Sequence, residues 1–112
     1  NIMTILEIIN LYNRLKKIET NFLDYQKRQN LLPVRECFTD IQKFTVWYLQ
    51  ENHLKVSNED WKMASQRLLE ILRDIVQAVE QDDYVLMHDA ICYGLQKYLY
   101  KFITDRRTVE EH

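Results

Sequence analysis

A base, an acid and a thiol occur close together near the end of the sequence, at His88, Asp89 and Cys92. In nucleophilic catalysis a histidine takes the proton of the nucleophile and a carboxylate orients the histidine. Adjacent residues of a helix point about 100° apart, so His88 and Asp89 do not form such a relay by themselves. One interpretation remains open, in which these three residues and Tyr93 line a ligand-binding or catalytic pocket.

Other common chemistries are not indicated. A di-metal carboxylate site in a helical bundle uses Glu-x-x-His, but Val85 stands three residues before His88. The single glycine of the chain excludes glycine-rich phosphate loops. Cys37 and Cys92 have no flanking base and are expected to be small buried apolar residues. We therefore expect no cofactor, no metal and no catalytic residue.

The charge and the cysteine content limit which partners and which cellular compartment we expect. The chain has 15 basic and 17 acidic residues and a net charge of −2, which is not typical of a nucleic-acid-binding protein. It contains no apolar run long enough to span a membrane. Its two cysteines form no disulfide framework, and this favours the cytoplasm.

The low content of turn residues predicts an all-α protein. With one glycine and one proline in 112 residues, the composition favours long helices with short links in a single domain, residues 1–112. We expect four helices at about 2–28, 33–51, 58–81 and 83–106. Pro33 begins the second helix, Ser57 caps the third, and Asp82 or Asp83 caps the fourth. The short links predict an antiparallel up-down-up-down four-helix bundle.

Each predicted helix has one apolar face, spaced as in amphipathic helices. The expected core residues, helix by helix, are Ile8, Leu11, Leu15, Ile18, Phe22 and Tyr25; Val34, Cys37, Phe38, Ile41, Phe44 and Tyr48; Trp61, Ala64, Leu68, Ile71, Leu72, Ile75 and Val79; and Tyr84, Met87, Ile91, Leu95, Tyr98 and Phe102. Gly94 lies at the edge of the last face, where a close helix–helix contact would compensate for its cost of about 1 kcal/mol.

Two further stripes of large apolar residues lie away from these core faces. Exposed apolar stripes usually mark a partner. In an antiparallel bundle the first and last helices are neighbours, so the two stripes are expected to merge into one surface, with Trp47 at its flank. The predicted interface residues are Ile2, Ile5, Ile9 and Tyr12 in the first helix, Leu86, Tyr93 and Tyr100 in the last helix, and Trp47.

The second half of the chain carries a family resemblance. Trp61, the segments 68–72 (LLEIL) and 78–84 (AVEQDDY), Asp89 and the segment 93–95 (YGL) resemble small, uncharacterised all-helical proteins of Firmicutes-type bacteria. The similarity covers residues 61–103. It implies a helical bundle and a bacterial cytoplasmic origin, and it carries no known activity.

Together these patterns lead to a non-enzymatic interaction protein. It would use the outer stripes to associate with a second copy or to hold a helix of a protein partner. The alternative is the enzymatic or ligand-binding bundle with a pocket near His88, Asp89 and Cys92. A third interpretation is that residues upstream of Asn1 cover both stripes.

Overall fold

The computed structural model describes residues 2–104, and all regular structure in this part of the chain is helical, as predicted. None of the described helices is long and apolar enough to cross a membrane. A π-helical segment (Ile91–Leu95) joins the last two α-helices. The α-helices are α1 (Ile5–Thr20), α2 (Phe22–Arg28), α3 (Leu32–Arg35), α4 (Phe38–Gln50), α5 (Asn58–Gln81), α6 (Tyr84–Ala90) and α7 (Gln96–Thr104).

Helix α5 has the bounds predicted from the sequence. Its N-cap is Ser57, whose hydroxyl accepts a hydrogen bond from the Asp60 amide at 3.1 Å. Its C-cap is Asp82, which adopts a left-handed conformation with φ of 52°. The carboxylate of Asp83 then accepts from the Leu86 amide and begins α6. The side-chain caps therefore satisfy amide groups at both helix starts.

The predicted first helix, 2–28, is wrong at its start and in its middle. Helix α1 begins at Ile5, because Thr4 and Glu7 form a capping box. The helical path is interrupted at Asn21, whose side-chain amide donates to the Lys17 carbonyl at 2.8 Å. Asparagine competes in this way for the carbonyls that a continuous helix needs.

The predicted second helix, 33–51, is also divided. Helix α3 contains Pro33 in its first turn, as expected, but a turn at Glu36 and Cys37 separates it from α4. The carbonyl of Glu36 accepts a hydrogen bond from the Arg14 side chain at 3.1 Å. Arg14 also pairs with Asp40 at 2.5 Å, so contacts with α1 hold this turn.

The predicted fourth helix, 83–106, contains the π-helical segment in its middle. A π-helix bonds each carbonyl to the fifth amide along the chain, so its turn is wider than an α-helical turn. The apolar core residues of this region are spaced four apart, at Met87, Ile91, Leu95 and Leu99, and all four are buried. Residues 105 and 106 lie outside the described residues.

The core holds most of the predicted apolar positions. The ring of Phe44 lies 6.0–6.1 Å, centroid to centroid, from the rings of Trp47, Tyr48 and Phe102. Phe102 in turn contacts Trp47 at 5.0 Å and Tyr48 at 6.0 Å. Buried hydrophobic residues that the sequence pattern did not assign to the core are Met3, Leu31, Trp47, Ala78, Ala90 and Leu99.

Helix α1 packs along α7 in the opposite direction. Tyr12 lies beside Tyr100, whereas Lys16 and Glu19, further along α1, lie beside Cys92. Helix α5 packs on α6 and on the π-helical segment. The predicted antiparallel contact between the first and last helices of the described residues is therefore present.

Candidate protein-interaction surface

The structure does not bring His88, Asp89 and Cys92 into one pocket. The ring of His88 packs on Phe22 at a centroid distance of 4.6 Å, and its Nδ1 lies 3.8 Å from the carboxylate of Asp89. Cys92 instead faces a groove between α1 and α7 that contains Tyr12. The 3.8 Å separation between Asp89 and Nδ1 is too long for a hydrogen bond that would orient the histidine as in a catalytic triad.

Cys92 is held in its neutral form. Burial, and secondarily the negative charge of Glu19, raises the pKa of its thiol to about 12. Burial also raises the pKa of the Cys37 thiol. Because the thiolate is the reactive form of cysteine, neither residue is activated as a nucleophile.

No group of three or more histidine, cysteine or acidic side chains within residues 2–104 is placed to hold a metal ion. His53, which the sequence places in a link, has a different role. Its ring stacks on Trp47 at 3.7 Å, and its Nε2 donates to the Trp47 carbonyl at 2.7 Å. The carbonyl can only accept, so this contact fixes the proton on Nε2. His53 thus ties the connection after α4 to the core.

The two predicted stripes meet at Tyr12 and Tyr100. Their rings are in contact across α1 and α7, with centroids 5.9 Å apart and planes tilted by 35°. Tyr12 is half-buried by this contact, whereas Tyr100 remains 52% exposed. A single aromatic contact therefore joins the outer faces of the first and last long helices.

We call the joined area the tyrosine surface and define it as Ile9, Tyr12, Tyr93 and Tyr100. Ile9 lies one helical turn before Tyr12 and is half-buried. Tyr93 is 65% exposed and is the most exposed of the three tyrosines of this surface. Tyrosine side chains combine a large apolar ring with a hydroxyl that tolerates water, which suits a surface that is alternately wet and covered.

The remaining predicted interface residues lie elsewhere. Ile2 is exposed but precedes α1, and Ile5 packs against the core. Leu86 is also partly buried against the core, because the wide π-helical turn between it and Tyr93 breaks the seven-residue register. Trp47 is buried under His53 and Phe102 and is not available to a partner.

Sequence reasoning missed Gln96, a buried polar residue beneath the tyrosine surface. Its Nε2 donates to the carbonyl of Tyr12 at 3.0 Å, which couples α7 to α1. Its Oε1 is buried and has no hydrogen-bond partner among the described residues. The sequence gives no clear signal for this site, because Gln96 is polar and directly follows the core residue Leu95.

Gly94 provides the close approach that the sequence predicted. A Cβ atom at this position would lie 3.0 Å from Cδ1 of Ile71 on α5. The absence of a side chain lets the π-helical segment pack directly on α5.

Comparison with known proteins identifies no relative: no protein-family model matches the chain, and no curated protein or solved structure is significantly similar to it.

Proposed function

We propose that the protein is a non-enzymatic interaction protein that uses the tyrosine surface to bind a helix, either of a protein partner or of a second copy. The observation that carries this proposal is the ring contact between Tyr12 and Tyr100, which joins the parts of the two stripes that remain at the surface. Tyrosine is among the residues that contribute most to binding energy at protein interfaces.

The shape of the surface favours a helical partner. Tyr93 and Tyr100 are seven residues apart along one helical rod. Tyr100 lines the groove between α1 and α7, whereas Tyr93 lines the groove between α5 and α7. An amphipathic helix places its anchors at intervals of three, four and seven residues, so its spacing matches that of the two tyrosines. A helix laid along the outer face of this rod, between the two grooves, would pack with the geometry of helices inside a bundle.

The same proposal includes an up-down-up-down arrangement of four helical rods, namely α1–α2, α3–α4, α5 and α6–α7. It is supported by the antiparallel packing of α1 on α7 and by the packing of α5 on α6. A partner helix would then lie on the outside of the bundle and leave its core unchanged. The two free cysteines favour the cytoplasm as the place where this happens.

The test uses the ¹⁵N-labelled protein and synthetic amphipathic helical peptides with leucine anchors and different flanking charges. The mass of the protein alone is measured by light scattering over a range of concentrations. We expect peptide binding or self-association to shift the amide signals of the tyrosine surface. Tyr93→Asp and Tyr100→Asp should each weaken it roughly tenfold or more, about 1.4 kcal/mol.

Val85→Asp is the matched control, because Val85 is 61% exposed and lies on the preceding helix. This substitution should leave binding unchanged. A protein that stays monomeric at high concentration and shows no shift at the tyrosine surface with any peptide would overturn the proposal.

A further inference from the structure

A second groove borders the tyrosine surface, between α5 and α7. Its volume is about 240 Å³, and its lining includes Gly94 and the tyrosines Tyr93 and Tyr98. Three cationic side chains line it, namely Arg67 from α5 and Lys97 and Lys101 from α7, and no carboxylate does. The groove therefore combines aromatic walls with a concentrated positive charge.

The charge of this groove is opposite to that of the whole chain, which is −2. Arg67 is paired with Glu70 at 3.2 Å, but both side chains are more than half exposed, so the pair is weak and exchangeable. Among residues 2–104, neither Lys97 nor Lys101 has a carboxylate within 4 Å. Two cations in the groove thus have no acidic partner in the described part of the chain.

From this charge we infer that the partner of the tyrosine surface is an acidic amphipathic helix, whose apolar anchors cover Tyr93 and Tyr100 while its carboxylates enter the groove between α5 and α7. This inference rests on the proposed function and names the chemistry of its partner. Complementary charge around an apolar contact steers association and rejects partners of the wrong sign.

The same charges argue against a second copy as the occupant. A symmetric dimer pairs one surface patch with itself. Lys97 lies between Tyr93 and Tyr100 in the sequence, so a twofold axis passing between the two tyrosines would bring Lys97 close to the same residue of the other copy. Like charges in that position oppose association.

The probes are two synthetic helical peptides of about 20 residues, roughly 30 Å in length. Both carry the same leucine anchors, flanked in one by glutamates and in the other by lysines. We expect the glutamate peptide to bind at least tenfold more tightly and to shift the amide signals of Tyr93, Lys97 and Lys101. Because the whole chain is negatively charged, non-specific attraction would favour the lysine peptide instead.

The variant Lys97→Glu with Lys101→Glu reverses the local charge. It should weaken binding of the glutamate peptide at least tenfold and strengthen binding of the lysine peptide. Lys62→Glu is the matched control, since Lys62 is an exposed cation of α5 that does not line the groove. It should leave the preference unchanged, and circular dichroism verifies that each variant is folded.

The outcomes separate this inference from the proposed function. Equal or tighter binding of the lysine peptide at the tyrosine surface would overturn the acidic partner but support helix binding. A dimer whose interface contains Tyr93 would likewise overturn it in favour of a second copy. Absence of binding by either peptide, together with a monomeric mass, would overturn both.

Discussion

Glu7 joins the start of α1 to α4. Its carboxylate accepts hydrogen bonds from the amide and hydroxyl of Thr4 and pairs with the ammonium group of Lys43. The contact with Lys43 is the main reason that the pKa of Glu7 is lowered from its ordinary value of 4.5. A carboxyl group with a lower pKa in the folded state stabilises the protein above its unfolded pKa, and this stabilisation is lost as the pH falls through the folded pKa.

We therefore expect Glu7→Gln to reduce the loss of stability on acidification. The free energy of unfolding, measured with urea between about pH 6 and pH 3, should fall less steeply in the variant than in the wild type. The difference should stay below about 1 kcal/mol, because the side chains of Glu7 and Lys43 are both 37% exposed and their attraction is screened. Lys43→Gln, which removes the largest cause of the shift, should produce much of the same change. Identical pH dependence in all three proteins would contradict this account.

At the scale of the elements, Gly94 determines how closely the π-helical segment approaches α5. A Cβ at position 94 would lie 3.0–3.2 Å from three atoms of Ile71, which is tighter than ordinary van der Waals contact. Ile71 is itself buried, so its neighbours restrict its movement.

The substitution Gly94→Ala should consequently destabilise the fold. Alanine gains about 1 kcal/mol in helix propensity, but overpacking costs about 1–3 kcal/mol, so we expect a net loss of about 1 kcal/mol in urea unfolding. Ile71→Val removes the nearest methyl group and serves as the second arm of a double-mutant cycle. The double variant should lose less than the sum of the two single variants. A stabilised Gly94→Ala protein would show that the helices separate without cost.

The elements also show how far the sequence determines the fold. The bounds of α5 are predictable because an amphipathic pattern, a serine cap and two aspartates agree with one another. The interruption at Asn21 depends on one side-chain hydrogen bond, which competes with helix formation by a small margin that periodicity does not reveal. The π-helical segment had a signal in the repeated spacing of four residues, but that signal also fits an ordinary α-helix over short lengths.

The candidate surface was predictable to a similar extent. The meeting of Tyr12 and Tyr100 follows from helix angles and from the antiparallel neighbours. The burial of Trp47 does not, because it depends on His53 folding back from a connection whose path is a tertiary property. The inward turn of Leu86 could not be seen either, because it depends on the π-helical register.

For the whole molecule, the central question is whether the large side chains of α7 serve the fold or a partner. Tyr98 serves the fold, since its hydroxyl donates to the Ala64 carbonyl on α5 at 2.7 Å and burial raises its pKa. Tyr93, five residues earlier, is mostly exposed. Among the described residues, its ring contacts one other ring, that of His88, in a T-shaped arrangement. The same residue type therefore occurs in two different environments on one helical rod.

This contrast predicts opposite results for two substitutions. Tyr98→Phe removes only a hydroxyl but leaves the Ala64 carbonyl without its side-chain donor, and it should lower the free energy of unfolding by about 1 kcal/mol. Tyr93→Ser removes a whole ring but should change the free energy of unfolding by less than about 0.5 kcal/mol. Tyr93→Ser should nevertheless weaken binding of the glutamate peptide several-fold, because it removes an anchor of the tyrosine surface. If Tyr93→Ser instead destabilised the fold by more than about 1 kcal/mol, the ring would be part of the architecture, and its exposure would no longer indicate a partner.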